Sequence, residues 1–263
     1  MERIVSLFTL LAASLLLTAQ SFSIRLPDTL SKKSLDGRLL LLFSKNHSAE
    51  PRFQITDNPN TQQVFGIDIE NWQPGTTKII SAAAFGYPVE SMANLPADEY
   101  TVQVVMHIYE TFHRKDGHVV KLPMDRGEGQ HWNLAPGNLY SLPVKIKFNP
   151  RTKILHTINL TKTIPPIKEP DDTKYIKHIK IQSKLLSDFW GIPMFLGAHV
   201  LLPEGWDTHP DVKYPLAIFH GHFPDDFGGW RTTPPDENLK PDTVARFNLV
   251  GYNKIVQQEA HDF

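Results

Sequence analysis

The chain has 263 residues, of which 41% are hydrophobic and 21% are charged, values normal for a folded globular protein that argue against intrinsic disorder. Its formal net charge is -1 at pH 7, so it lacks the basic excess that nucleic-acid binding requires. It contains no cysteine, which excludes disulfides and a lipid-modified cysteine.

The first 23 residues have the pattern of a secretory signal peptide. Arg3 precedes the apolar run VSLFTLLAASLLLTA, and Ala19-Gln20-Ser21 is a small-x-small cleavage pattern. We expect cleavage after Ser21 or Ser23 and a secreted or periplasmic product. The alternative is a membrane anchor, although the run is short for a bilayer span of about 20 residues. No later segment of the sequence is apolar enough to cross a membrane.

Residues 24–160 have a sequence pattern typical of β-strands and turns, which predicts an immunoglobulin-like β-sandwich. From Tyr100 to Tyr109 alternate residues are apolar, which is the period of two typical of a strand. Asp116-Gly117 then predicts a hairpin turn, and Asp36-Gly37 predicts another turn before the run LLLLF. GNLYSLPVKIKFNP reads as a further strand with a proline near its end. Short strands separated by Pro and Gly turns favour a sandwich.

The segment GEGQHWN, residues 127–133, places Glu128 and His131 beside Trp132. An exposed Trp with polar neighbours would suit a glycan-binding surface, but the favoured interpretation is a loop whose Trp fills the core. Trp72 is expected to anchor the core before a turn. Asp68 and Glu70, which flank Ile69, are expected on a solvated face rather than as a catalytic pair.

Two histidines in the predicted sandwich are too far apart to share a metal. His107 and His113 lie six residues apart on one face of a strand, which separates them by roughly 20 Å. We expect neither a metal site nor a cofactor in this chain.

The texture changes after residue 160. Residues 161–175 contain TIPPIKEPDDTK, which is proline-rich and charged and predicts a linker. Residues 176–263 predict a second domain. It starts with two strands around a turn at residues 189–193. A solvent loop and an apolar strand over residues 215–219 follow, and that strand leads into His220-Gly221-His222.

The motif His220-Gly221-His222 has three possible interpretations. Two histidines after a strand can share a metal, but the H-x-H-x-D-H pattern of β-lactamase-type metallo-hydrolases needs a carboxylate at Pro224 and a histidine after it. Alternatively, a His-Gly loop after a buried strand can offer backbone N–H groups to an oxyanion, and Gly221 permits the tight turn. Taken alone, the dipeptide also suits an ordinary turn.

Two further segments precede the motif in a characteristic order. Residues 200–207 read VLLPEGWD, residues 213–215 read KYP, and an apolar run then leads into His-Gly. This order resembles the secreted esterase D and feruloyl esterase-like branch of the α/β-hydrolases, whose members commonly read V-x-LP-x-G-[YW]-D, then [KR]-YP, then HG. The resemblance covers about residues 176–230, and a β-sandwich ahead of such a domain is familiar in that group.

The resemblance implies a role for the loop after the strand. His220 and Gly221 match the oxyanion loop, and the backbone N–H of His222 would be the donor. Asp225, Asp226 and Trp230 would line the mouth of the site, although as solvated loop residues they need no function.

The catalytic residues of that group are missing from this sequence. It has no G-x-S-x-G elbow for the nucleophile, and Ser141, Ser183 and Ser187 lack the flanking glycines. The 89 residues from Tyr175 to Phe263 also fall short of the roughly 200 that such a domain needs.

We therefore expect the incomplete first part of an α/β-hydrolase domain after the sandwich. The chain would be the N-terminal fragment of an exported serine carboxyl-ester hydrolase, inactive as it stands, with nucleophile, acid and base beyond Phe263. The substrate of the full-length parent would be a small-molecule or polysaccharide-linked ester. The alternative is a non-catalytic β-sandwich module that binds carbohydrate or protein.

Overall fold

The computed structural model describes residues 20–169, 171–174, 176–202, 206–218 and 220. They fall into two compact units, one of residues 20–112 and 119–167 and the other of residues 113–118 and 168 onward. The described part of the chain is mostly β, as predicted, and has a single short α-helix. None of its helices has the length and apolar character needed to cross a bilayer.

The first unit, called the β domain below, holds the first eleven strands in chain order. They are β1 (Ser21–Arg25), β2 (Leu35–Ser44), β3 (Gln63–Trp72), β4 (Thr77–Ile80), β5 (Phe85–Tyr87), β6 (Asp98–His113), β7 (Val119–Leu122), β8 (Leu139–Tyr140), β9 (Val144–Phe148), β10 (Leu155–Asn159) and β11 (Lys162–Thr163). Two short 3-10 helices, Pro51–Phe53 and Met92–Asn94, lie in its connections.

The strands of the β domain form two sheets. The smaller has the order β10-β1-β4, with β1 parallel to β10 and antiparallel to β4. The larger has eight strands in the order β11-β8-β6-β2-β3-β5, and β7 and β9 also pair with β6. Buried side chains from both sheets form one hydrophobic cluster. The β domain is therefore sandwich-like, and its core lies between the two sheets.

Phe43 in β2 is the centre of this core and is fully buried. Its ring meets four others edge-on, with centroids 5.4–5.7 Å apart: Phe22, Phe65, Tyr100 and Phe148. Such T-shaped pairs place the positive edge of one ring against the negative face of another. Because Phe22 belongs to β1, this cluster joins the small sheet to the large one. Trp72 is also fully buried, which confirms its predicted place in the core.

The predicted turn at Asp36-Gly37 is wrong, because both residues lie inside β2. A bulge shifts the pairing with β3 between Leu35 and Gly37. Gly37 has φ of 147°, and a Cβ there would lie 2.0 Å from the carbonyl oxygen of His107. The glycine thus allows a close approach of β2 to β6 rather than a reversal of the chain.

The other local predictions have mixed outcomes. The turn at Asp116-Gly117 is confirmed, with φ of 86° at Gly117 and its N–H donating to the carbonyl of Arg114 at 3.0 Å. The single strand expected over GNLYSLPVKIKFNP is wrong, because it divides at Pro143 into β8 and β9. Proline has no N–H with which to continue a ladder.

The β domain extends past both ends of the predicted range of residues 24–160. Residues 21–23, assigned to the signal peptide, belong to β1, and Phe22 is 0% exposed. The buried carboxamide of Gln20 donates to Thr152 Oγ1 at 2.7 Å, and its oxygen lies 2.8 Å from His156 Nε2. At the other end, β11 lies inside the predicted linker. The folded β domain therefore uses residues from Gln20 onward.

The second unit contains a strand–helix–strand hairpin. β12 (Ile176–Gln182) and β13 (Phe195–Leu201) are antiparallel, and α1 (Lys184–Trp190) connects them. The two predicted strands are confirmed, but their connection also contains a helix, which overlaps the turn predicted over residues 189–193 only at residues 189–190. Ser183 caps that helix by accepting from the Leu186 N–H at 3.3 Å, and Gly191 ends it with φ of 74°.

The apolar strand predicted over residues 215–219 does not form where the structure describes it. Residues 215–218 have no strand, and Leu216 and Ile218 are 81% and 80% exposed. A strand that is apolar on both faces needs cover on both, as in a complete parallel sheet. In the described part of the chain no strand pairs with this segment.

Candidate functional site

The predicted oxyanion loop is only partly within the structure. His220 is described and exposed. The rest of the loop and the residues expected at the mouth of the site lie outside the described residues: Gly221, His222, Asp225, Asp226 and Trp230. The expected role of this loop therefore stays a prediction.

The three serines considered as nucleophiles have structural roles. Ser183 caps α1, and Ser187 Oγ donates to the carbonyl of Ser183 at 2.7 Å and accepts from the Met194 N–H at 2.9 Å. Ser141 is buried and accepts from the Val104 N–H at 3.0 Å. Their hydroxyls thus satisfy the backbone, and none is hydrogen-bonded to a histidine in the described part of the chain.

The loop GEGQHWN does not place its tryptophan in the core. Trp132 is half-buried and does not belong to the core, so the prediction that it fills the core is wrong. The buried side chain of this loop is Glu128, which is 8% exposed and accepts from the Arg126 N–H at 2.8 Å. No three His, Asp or Glu side chains within the described ranges are grouped as a metal site would require.

The large sheet presents two aromatic rings on the face that points away from the core. Phe85 and Tyr87 alternate with Gly86 on the edge strand β5, and they are 64% and 44% exposed. Gly86 faces the core, because a Cβ there would lie 2.3 Å from the Phe65 ring. With the strand period of two, both aromatic side chains must therefore point outward.

Gly66 leaves room beside Phe85 for a charged side chain. It pairs directly with Phe85, and a Cβ at this glycine would lie 2.9 Å from Arg38 Nε. Arg38 thus lies over the glycine backbone, next to the edge strand. Its Nη1 donates to Asp68 Oδ1 at 2.6 Å. Asp68 is exposed, as predicted for a solvated face.

Two ring side chains of β6 continue this surface. His107 stands opposite Arg38 on the neighbouring strand, and its ring meets that of Tyr109 edge-on at 5.3 Å. Burial lowers the pKa of His107, so its imidazole is biased towards the neutral form. Burial also raises the pKa of Tyr109, which keeps the phenol protonated.

We call this surface the aromatic platform. It comprises Arg38, Gly66, Asp68, Phe85, Tyr87, His107 and Tyr109.

A depression of about 340 Å³ lies on the β domain, where β6 and β9 meet the loop after β2. We call it the loop pocket, and it is lined by His47, Ser48, Ala49, Glu50, Thr101, Pro143 and Lys145. His47 Nδ1 lies 2.5 Å from Thr101 Oγ1.

Hydrogen bonds from Arg52 and from the buried Gln103 hold Glu50 at the pocket wall. Glu50 Oε2 accepts from Arg52 Nε at 2.9 Å and from the carboxamide of Gln103 at 2.8 Å. Gln103 is 0% exposed and also donates to the carbonyl of Ser141 at 3.0 Å. Burial alone would raise the pKa of Glu50, but the bonds from Gln103 and Arg52 outweigh it and lower the pKa.

Comparison of the chain with protein-family models, with curated proteins and with solved structures found no match. Function must therefore be argued from the surfaces of the chain itself.

Sequence reasoning missed the platform and the loop pocket. The available signal was the segment FGYP at residues 85–88, in which two aromatic residues alternate with glycine before a proline. That pattern indicates an edge strand with both rings on one face. The placement of Arg38 beside it depends on the pairing of β2, β3 and β5, which local sequence does not reveal.

Proposed function

We propose that the β domain binds carbohydrate on the aromatic platform. The observation that carries the proposal is the exposure of Phe85 and Tyr87 side by side on one edge strand. Water-exposed aromatic rings favour contact with an apolar ligand surface, and the C–H face of a pyranose ring is such a surface.

The charged part of the platform suits a ligand rich in hydroxyls. Arg38 and Asp68 neutralise one another, so the pair brings donors and acceptors without a net charge. The neutral imidazole of His107 and the protonated phenol of Tyr109 add further hydrogen-bonding groups. A neutral polysaccharide matches this combination of stacking rings and paired charges.

The expected export of the chain supports the same proposal. A signal peptide, as predicted from the first residues, would bring the β domain to the periplasm or the cell exterior, where structural polysaccharides are found.

The test is affinity electrophoresis of the full chain in gels that contain xylan, mixed-linkage β-glucan, starch or pectin. We expect at least one neutral polymer to retard the protein, and Phe85→Ala/Tyr87→Ala to abolish that retardation. Leu155→Ala is the matched control, because Leu155 is 58% exposed on the small sheet. Equal retardation of the double variant and the control would refute the proposal, as would no retardation by any polymer.

We propose for the second unit that it is the first part of an α/β-hydrolase domain of an ester hydrolase, carried behind an immunoglobulin-like sandwich. The supporting observation is the antiparallel pair β12–β13, which lies in the region that resembles secreted esterases and ends at the start of VLLPEGWD. In this proposal the His222 N–H holds the oxyanion. The serine, histidine and acid come from sequence that this chain does not contain.

This second proposal is tested on the transcript and on the protein it encodes. We expect the reading frame of the parent protein to contain a G-x-S-x-G stretch downstream of His222, and the full product to hydrolyse p-nitrophenyl acetate. Replacing the serine of that stretch by alanine should abolish hydrolysis. A transcript without such a stretch, or an alanine variant with full activity, would contradict the proposal.

A further inference from the structure

The loop pocket has features of a binding site that is separate from the platform. Its volume of about 340 Å³ is at the lower end of the range for small-molecule sites, about 300–1,000 Å³. A ligand of one sugar ring matches this size. Ala49 and Pro143 give the pocket an apolar side, and the remaining lining residues are polar or charged.

Of the two charged side chains that line the pocket, Glu50 has an ion-pair partner among the described residues and Lys145 has none. Glu50 is paired with Arg52 at 2.9 Å, so its negative charge is already compensated. Lys145 is exposed, and among the described residues no carboxylate lies within ion-pair distance of its ammonium group. The pocket therefore has one uncompensated positive charge, which favours a ligand with one negative charge.

The Glu50 carboxylate and the His47 ring can accept hydroxyl protons in this pocket. Both hydrogen bonds that hold Glu50 end on Oε2, and within the described residues none reaches Oε1. The bonds from Arg52 and from the buried Gln103 hold the carboxylate group through Oε2, so accepting from a ligand at Oε1 costs little further ordering. His47 uses Nδ1 for Thr101 and retains its second ring nitrogen for a further bond.

We propose that the loop pocket binds a uronic acid, that is, a sugar with one carboxylate and several hydroxyls. The carboxylate binds the ammonium of Lys145, and ring hydroxyls donate to Glu50 Oε1 and bond to His47. An amino acid fits less well, because its ammonium would meet a carboxylate that Arg52 already neutralises. This inference goes beyond the platform, since it concerns other residues and a charged ligand.

The test is calorimetric titration of the full chain with D-glucuronate, with D-glucose and glycine as comparison probes. We expect D-glucuronate to bind and the two other probes to bind at least about tenfold more weakly, since each lacks one of the matching groups. Lys145→Gln should weaken D-glucuronate binding by about tenfold or more and leave the affinity for D-glucose unchanged. Lys147→Gln is the matched control, an exposed lysine two residues further along β9.

Several results would overturn the inference. These are no heat from D-glucuronate, equal affinity for D-glucose or glycine, unchanged affinity in Lys145→Gln, or an equal loss in Lys147→Gln. Loss of D-glucuronate binding in Phe85→Ala/Tyr87→Ala would place the ligand on the platform instead and would also overturn it. The Lys145→Gln variant keeps every residue of the platform. Retardation of this variant by neutral polysaccharide therefore tests the proposed function independently of uronic-acid binding in the loop pocket.

Discussion

Removing one ring from the aromatic platform should weaken polysaccharide binding, and the loss of affinity should depend on how much of that ring is exposed in the free protein. Burying a whole Phe side chain contributes about 1.5–3 kcal/mol. Phe85 is 64% exposed, so complete cover by a sugar contributes about 1–2 kcal/mol, and Phe85→Ala should raise Kd about fivefold to thirtyfold. Tyr87 is 44% exposed, so Tyr87→Ala should raise Kd by less, about threefold to tenfold.

The assay is calorimetric titration of the full chain with a soluble oligosaccharide of the polymer that retards it. Urea unfolding of the same variants is the control, because neither ring belongs to the core, and the unfolding free energy should change by less than about 0.5 kcal/mol. If either variant keeps the affinity of the unsubstituted chain, the platform does not bind the oligosaccharide as proposed. The same conclusion follows if the affinity falls only together with the stability of the fold.

Three further predictions concern the fold. Phe43→Ala should lower the unfolding free energy of the β domain by about 3–5 kcal/mol in urea, because it leaves four rings around a cavity, and a loss under 1 kcal/mol would contradict that packing. A chain that begins at Ile24 should unfold at a clearly lower urea concentration than one that begins at Gln20, because it lacks the buried Phe22. Equal midpoints would show that residues 20–23 are dispensable for the stability of the β domain. Burial lowers the pKa of His107 and His156 in the folded chain. Below about pH 6.5 the unfolded chain therefore binds more protons than the folded chain, and the unfolding free energy should fall as the pH drops further. Replacing both histidines by glutamine should make the unfolding free energy, measured with urea, less dependent on pH between pH 5 and 8. An unchanged dependence on pH would exclude the two histidines as its cause.

Local sequence patterns predicted those elements of the β domain whose conformation depends mainly on neighbouring residues. The alternation from Tyr100 to Tyr109 gave β6, and Asp116-Gly117 gave its hairpin, because both follow from short-range geometry. Asp36-Gly37 carries the same turn signal, yet it lies at a bulge. Close approach to His107 on a distant strand decides its conformation, and one segment alone does not contain that information.

The candidate sites were harder to predict because they are assembled from distant segments. Phe85, Gly66 and Arg38 meet only through the order β2-β3-β5, and Glu50 reaches Gln103 across 53 positions of the chain. Sequence motifs instead indicated His220-Gly221-His222, because VLLPEGWD and KYP precede it within the same short stretch of the chain. Sequence therefore indicated a site that depends on consecutive residues and missed two that depend on strand pairing.

The most direct test of carbohydrate binding on the platform is a map of backbone amide chemical shifts as the oligosaccharide is added. We expect the largest changes at Arg38, Gly66, Tyr87 and His107, with little change in the second unit. Changes confined to other surfaces, or none at saturating ligand, would contradict carbohydrate binding on the platform.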